Sequence, residues 1–211
     1  MEGAKLGTAN RGAPAVERLT GSLGDALDEA RASGADWIWV VEDSVSPHPD
    51  ALQALLDALG RTDDLPAPAV LAGVVRTPDG ALDRGRLAWY RRSDLDLALA
   101  AAAAQLLPIR ATAGPVLVSR AALETNPPQD TLRPSPASIL TWTAHLLRSG
   151  MGYLVPDSRY DAREAARDPL GDPRTAATLL IGGAVAGGDR LRVIHELVER
   201  VGVKLAEGRG R

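Results

Sequence analysis

Two adjacent carboxylates and a hydroxyl follow directly after a short apolar run, in the order Glu42-Asp43-Ser44. The apolar run, Trp37-Ile38-Trp39-Val40-Val41, is typical of a strand that is buried on both faces of a sheet. Ligands of open α/β sheets bind beyond the carboxyl ends of the strands, which is where these polar side chains lie. The alternative is a solvated loop that ends a strand. We favour the binding-site interpretation for Glu42 and Asp43.

Composition narrows the chemistry that this turn can do. The 211 residues carry a formal net charge of −3 and include no Cys. Any metal ion must therefore be held by carboxylate, hydroxyl or His ligands. Nucleic acid is not an expected partner, because proteins that bind it concentrate Lys and Arg on one face.

Targeting signals are not evident either. No apolar stretch approaches the ~20 residues of a membrane span, and the N-terminus lacks the basic-then-apolar layout of a signal peptide. We expect a cytoplasmic protein that does not span a membrane. A peripheral position at the inner face of the membrane fits the same pattern.

Apolar periodicity and turn residues predict the elements that position the acidic turn. Apolar residues at helical spacing predict a helix over 15–32 that stops at Gly34. After the acidic turn, Pro49 marks the start of a second helix with a leucine stripe up to Leu59. Further strands are predicted over 69–75, 115–118 and 152–155, and further helices over 94–107, 120–124 and 135–150.

Strands that alternate with helices predict an α/β fold. Residues 1–160 are expected to form this domain, and residues 161–211 a helical C-terminal tail that packs on the core or on a partner. Trp37 and Trp39 share one face of their strand and are assigned to core packing.

Residues 36–59 resemble the segment of family-2 glycosyltransferases in which a Trp-rich strand runs into a turn of three Asp residues. The likeness is greatest to the bacterial rhamnosyl- and galactofuranosyltransferase-like branch, and it covers roughly the first three quarters of the chain. Four shorter pieces resemble the family in the same order: Asn10-Arg11-Gly12, Thr112 to Arg120, Leu146 to Gly150, and Val155 to Ser158.

The resemblance implies a three-layer GT-A-like fold with a mostly parallel sheet and flanking helices. It implies a sugar transferred from a nucleotide-diphosphate sugar to a glycan or lipid acceptor of the cell envelope. A Mn2+ or Mg2+ ion at the acidic turn would neutralise the diphosphate, with Glu42, Asp43 and Ser44 at the donor. Asp43, Glu42 and Asp161 are the implied metal ligands, Asp161 standing where the family often has a His.

The sequence departs from the family pattern in several places. Ser44 replaces the last Asp of the triplet, so metal affinity should fall. The acceptor-side acids would fall at Ser138-Ile139, where there is no acid. The family's opening strand, helix and second strand have no counterpart before Lys5, so the chain is expected to begin partway into the fold.

Two other carboxylates are weak candidates for the acceptor base. Glu124 and Asp130 could approach an acceptor hydroxyl if the proline-rich loop at 126–136 folds over the site, whereas a mobile solvated loop is the stronger interpretation. Four Arg residues could meet a diphosphate or lie in a solvated loop: Arg84, Arg86, Arg91 and Arg92. No His is assigned a catalytic role, and His48 is interpreted as a surface turn residue.

Two functional hypotheses follow from the sequence. The first is a metal-dependent glycosyltransferase. The second is a catalytically degenerate transferase-like module that acts through a protein partner or as a homo-oligomer. Loss of nucleotide binding in the presence of a chelator would distinguish the first from the second.

Overall fold

The computed structural model describes residues 15–18, 28, 32, 34–62, 65–86, 100, 102–127 and 135–166. These residues form a mixed α/β structure. Its seven described strands are β1 (Ala15–Arg18), β2 (Trp37–Val41), β3 (Val45–Pro47), β4 (Pro68–Arg76), β5 (Leu107–Ile109), β6 (Val116–Ser119) and β7 (Met151–Ala162). Its three described helices are α1 (Ala51–Gly60), α2 (Arg120–Thr125) and α3 (Pro136–Leu146).

The strands form one sheet in the order β1-β2-β6-β4-β7-β3, with β5 also paired to β7. β1 is parallel to β2, and β4 is parallel to β7. The other four described pairings are antiparallel. The prediction of a mostly parallel sheet is therefore wrong for the described strands. An apolar run shows that a strand is buried on both faces, but it does not show the direction of the neighbouring strand.

Two apolar clusters cover the two faces of the sheet. Along β2 the side chains alternate, so that Ile38 and Val40 join one cluster while Trp39 and Val41 join the other. α1 packs in the second cluster through Leu55, and the first cluster contains residues of α2 and α3. The expectation that Trp39 is a core residue is confirmed, since its side chain is 7% exposed.

Local sequence explains where several elements begin and end. Gly34 adopts φ +77°, a left-handed conformation that suits the end of a helix. Ser135 caps α3: its hydroxyl accepts a hydrogen bond from Ser138 N, and Ser138 Oγ accepts one from Ser135 N. Pro136 follows in the first turn, where its missing N–H is not needed.

The prediction of a helix over 15–32 is wrong at its N-terminal end. Ala15–Arg18 is a strand paired in parallel with β2, although residues 28 and 32 are helical. Pairing with a neighbouring strand outweighs apolar periodicity at this point. The first helix after the acidic turn begins at Ala51 rather than at Pro49, and the short strand β3 between them was not predicted.

The predicted helix over 94–107 also ends differently. Residues 100 and 102 are helical, but Leu107 and Pro108 lie in β5. β5 pairs with β7, and Pro is tolerated in a strand of this kind where its nitrogen faces away from the neighbour.

The last described strand is longer than predicted. β7 runs from Met151 to Ala162 and contains an irregularity: Ala72 pairs with Leu154, whereas Val74 pairs with Arg159. Asp161, predicted to open the C-terminal tail, lies within this strand. The tail from 167 onward lies outside the described residues, so the division into two regions stays a prediction. Among the described residues, no helix has the length and apolar character needed to cross a membrane.

Candidate functional site

The acidic turn lies at one edge of the sheet, where β2, β4 and β7 all end. β6 is antiparallel to both β2 and β4, and β4 is parallel to β7, so these three strands run in the same direction. Their carboxyl ends are Val41, Arg76 and Ala162. The turn 42–44 follows the first of them, and β3 then returns along β7. The predicted position of the turn, beyond the carboxyl end of a buried strand, is confirmed.

Hydrogen bonds from the buried side chain of Arg86 hold this turn in place. Its Nε donates a hydrogen bond to Glu42 Oε1, and its Nη2 donates to Ser44 Oγ at 2.8 Å. Its Nη1 donates to Asp83 Oδ2 at 2.5 Å. We call Glu42, Ser44, Asp83 and Arg86 the Arg86 cluster. The planar guanidinium has donors in fixed directions, so it sets the relative positions of all three partners.

Backbone geometry around the cluster shows why it packs closely. Asp83 N donates to Val75 O at 2.9 Å, which ties the loop of Arg86 to the end of β4. A Cβ atom on Gly114, just before β6, would lie 2.9 Å from Arg86 O. Glycine at this position lets the loop of Arg86 pass over the start of β6.

The three charged side chains of the cluster are buried. Glu42 is 4% exposed, Asp83 1% and Arg86 3%. Burial alone would lower the pKa of Arg86, but its hydrogen bonds to Glu42 and Asp83 outweigh that effect and raise the pKa. Arg86 therefore stays charged at every physiological pH. When all three groups are ionised, the two carboxylates and the one guanidinium together carry a net charge of −1.

Asp43 differs from its two neighbours in the turn. Its side chain is exposed, and within the described part of the chain its carboxylate makes no hydrogen bond or ion pair. Glu42 and Ser44 on either side are held by Arg86. Asp43 is thus a carboxylate available to a ligand, carried on a turn whose flanking side chains are fixed.

The third predicted metal ligand, Asp161, has another partner. His48 Nε2 lies 2.9 Å from Asp161 Oδ2, and both side chains are largely exposed. Register explains this contact, because His48 N donates to Arg159 O across the β3–β7 pair, two residues from Asp161. His48 lies at the surface, as predicted, but it has an acidic neighbour that the sequence did not indicate.

The described residues contain no group of three His, Asp or Glu side chains arranged to hold a metal ion. Glu42 pairs with Arg86, and Asp161 pairs with His48. Mg2+ in phosphoryl-binding sites is commonly held by one or two carboxylates plus the phosphates of the substrate. Asp43 fits that mode, in which the diphosphate supplies the remaining ligands. A fully preformed cage of Glu42, Asp43 and Asp161 does not fit these contacts.

Of the two weak candidates for an acceptor base, the described one, Glu124, is not brought to this edge. Glu124 lies on α2, which follows β6, and β6 runs opposite to β2. Arg120 at the start of α2 donates through Nε to Ala35 O, just before β2 begins. Glu124 is therefore placed toward the opposite end of β2 from the acidic turn. Asp130 lies outside the described residues.

Of the four Arg residues noted in the sequence, the structure describes Arg84 and Arg86. Arg84 is exposed, whereas Arg91 and Arg92 lie outside the described residues. Arg86 is buried and engaged with protein groups, so its donors to Glu42, Asp83 and Ser44 are not available to a diphosphate. The sequence did not predict the role of Asp83 in this cluster. Asp83 is only three residues before Arg86, but Glu42 and Arg86 are 44 residues apart, and no local pattern encodes that contact.

Comparisons with known proteins add little to this geometry. No family model matches the chain, and no curated protein matches it. A crystal structure of GalNAc-T7 with UDP, GalNAc and Mn2+ is a distant structural neighbour, with a TM-score of 0.42 and 14% sequence identity. The alignment covers 78% of this chain and 35% of that chain. A likeness this distant assigns neither activity nor substrate to the chain.

Proposed function

We propose that this chain is a glycosyltransferase-like domain whose acidic turn binds a divalent cation together with the diphosphate of a nucleotide sugar. The observation that carries the proposal is the exposed carboxylate of Asp43, which has no partner among the described residues while Arg86 holds its two neighbours. The position beyond the carboxyl end of a buried strand supports a ligand site.

The charges of the turn favour a cation. Glu42, Asp43 and Asp83 supply three negative charges, and Arg86 supplies one positive charge. A bare diphosphate would meet repulsion from this net charge of −2. A divalent cation on Asp43 would offset it, so we expect the cation and the diphosphate to bind together and each to bind weakly alone.

Transfer would break the bond between the anomeric carbon of the sugar and a diphosphate oxygen and form a bond to the oxygen of an acceptor hydroxyl, whose proton would pass to solvent water. The cation would stabilise the negative charge on the departing nucleotide diphosphate. The chain's own contribution is positioning: Asp43 supplies the carboxylate, and Val45 N donates to Glu42 O at 3.0 Å to close the turn. The glycan or lipid acceptor of the cell envelope is proposed from the sequence resemblance.

Asp43→Asn tests the proposal because it removes the charge and keeps the shape of the side chain. We expect the dissociation constant for UDP in the presence of Mn2+ to rise at least about tenfold, which corresponds to roughly 1.4 kcal/mol. Isothermal titration calorimetry measures this constant.

Asp57→Asn is the matched control. Asp57 lies on the exposed face of α1, where its carboxylate accepts a hydrogen bond from Gln53 Nε2 at 2.8 Å. This variant removes the same charge away from the acidic turn, and it should bind UDP as the wild type does. Equal affinities for the Asp43 and Asp57 variants would refute the role of Asp43.

A further inference from the structure

Residues 163–166, which we call the strap, follow β7 and cross the Arg86 cluster. Arg163 N donates to Ser44 O at 2.9 Å. Arg86 Nη1 donates to Glu164 O at 2.9 Å, and Ala166 N donates to Asp83 Oδ2 at 3.1 Å. The strap is thus held by backbone groups, and its three contacts go to three different residues of the cluster.

The fit between the strap and the loop of Arg86 is close. A Cβ atom built on Gly85 would overlap the carbonyl oxygen of Ala166 and lie 2.7 Å from its carbonyl carbon. Gly85 N in turn donates to Asp83 Oδ1 at 3.0 Å. Any side chain at position 85 would therefore push the strap away from Asp83.

Arg86 connects three separate parts of the chain. One guanidinium donates to the acidic turn through Glu42 and Ser44, to its own loop through Asp83, and to the strap through Glu164 O. Buried ion clusters add little net stability compared with apolar packing, but breaking one is costly because it leaves a buried charge without a partner. We therefore expect the cluster to form or open as a unit.

We infer that Arg86 is a positioning residue that couples the strap to the acidic turn, so that both parts close together. This inference rests on the proposed function for its ligand. A cation on Asp43 would offset the net charge of −1 in the cluster beside it, and would therefore favour the closed state. By linkage, opening the strap weakens ligand binding, and ligand binding in turn stabilises the closed strap.

Hydrogen exchange of backbone amides measures the coupling without any ligand. The reporters are Val45 N, which closes the turn by donating to Glu42 O, and Arg163 N and Ala166 N in the strap. In Gly85→Ala we expect all three amides to exchange at least about tenfold faster, while amides of β4 and β6 keep their rates. Gly60→Ala is the control, since a Cβ atom there meets nothing within 4 Å, and it should change none of these rates.

Two results would overturn the inference: faster exchange of the strap alone in Gly85→Ala, with Val45 unchanged, or faster exchange in Gly60→Ala as well. If Gly85→Ala does not fold, Ser44→Ala takes its place, because it removes only the hydroxyl that accepts from Arg86 Nη2. It should accelerate the same three amides together, and unchanged rates in the strap would likewise contradict the coupling.

A second readout separates positioning from a merely structural role. Gly85 is not expected to touch the ligand, yet Gly85→Ala should weaken UDP binding with Mn2+ at least about threefold. Adding UDP and Mn2+ to the wild type should slow the exchange of the turn and strap amides together. Arg86→Lys keeps the positive charge but lacks the planar guanidinium. We therefore expect the amides of the turn and the strap to lose their joint protection from exchange in this variant.

The outcomes for the two proposals are distinct. If the wild type does not bind UDP but the three amides still respond together, the proposed function fails and the coupling stands. If UDP binds normally to Gly85→Ala and the amides respond separately, the coupling fails and the proposed function stands.

Discussion

At the scale of single residues, the hydroxyl of Tyr160 in β7 connects to Trp39 in β2 within the second apolar cluster. Trp39 Nε1 donates a hydrogen bond to Tyr160 Oη at 2.9 Å, and Ser158 Oγ lies 3.2 Å from the same oxygen. The side chain is fully buried. Burial raises the pKa of Tyr160 to about 12, although the hydrogen bonds from Ser158 and Trp39 act in the opposite direction.

This pKa predicts alkaline destabilisation. An unfolded tyrosine ionises near pH 10, whereas folded Tyr160 keeps its proton up to about pH 12. The contribution of the neutral hydroxyl to the free energy of unfolding is fully present below pH 10 and is lost as the pH rises through 12. The loss is roughly 3 kcal/mol, since one pKa unit corresponds to about 1.4 kcal/mol. About 1.4 kcal/mol of this loss is expected by pH 11, one unit above the unfolded pKa, and urea denaturation at pH 8, 10 and 11 measures that part.

Tyr160→Phe should reduce the loss in the free energy of unfolding at alkaline pH. It also lowers stability at neutral pH, because the N–H of Trp39 is left without its acceptor. Tyr153→Phe is the control. Tyr153 donates to Pro66 O at 3.2 Å, and removing this hydroxyl should leave the decline between pH 10 and 11 largely in place. A Tyr160→Phe protein that loses stability as steeply as the wild type would contradict this assignment.

The sequence predicted where the acidic turn lies but not the contacts of its side chains. Glu42 and Asp43 were expected at the carboxyl end of β2, and they are there. Trp39 was expected in the core, and it is. The partners lie far away in sequence, since Tyr160 is 121 residues from Trp39, and no local pattern encodes such a contact.

At the scale of elements, β4 and β7 pack closely beside the irregularity in β7. A Cβ atom on Gly73 would overlap the ring of Tyr160 and lie 2.9 Å from Ser158 O. β7 carries extra residues between its partners for Ala72 and Val74, and Ser158 and Tyr160 lie close to Gly73. The absence of a side chain at position 73 lets the ring of Tyr160 reach Trp39.

Gly73→Ala should therefore destabilise the protein by about 2–3 kcal/mol, in the range of overpacked cores. Gly60→Ala is the matched substitution at an open position in the last turn of α1, and it should be neutral or stabilise by up to about 1 kcal/mol. Urea denaturation compares the two variants. Equal stabilities would show that the ring of Tyr160 moves aside at little cost.

The elements with a strong local sequence pattern were predicted most accurately. The apolar runs of β2, β4 and β6, and the Ser-Pro start of α3, were all predicted close to their observed bounds. Short elements were missed or misassigned. β1, β3 and β5 have three or four residues each, and pairing with longer strands defines them. Such pairing depends on tertiary contacts that no short window contains.

At the scale of the whole molecule, the direction of strands decides which residues share an edge. The acidic turn, Arg76 and Asp161 come to the same edge because β2, β4 and β7 run together. Glu124 is carried toward the other end because β6 runs in the opposite direction. The sequence could not predict this separation, since it indicated buried strands without their directions.

The most direct test of the account is calorimetric titration of the wild-type chain with UDP and dTDP, first with Mn2+ or Mg2+ and then with a chelator. We expect micromolar binding with the cation, much weaker binding with the chelator, and little binding of the cation without the nucleotide. Absence of nucleotide binding under every condition, or binding that the chelator leaves unchanged, would contradict a cation-dependent donor site at Asp43. The first of these results would favour a transferase-like module that acts through a protein partner.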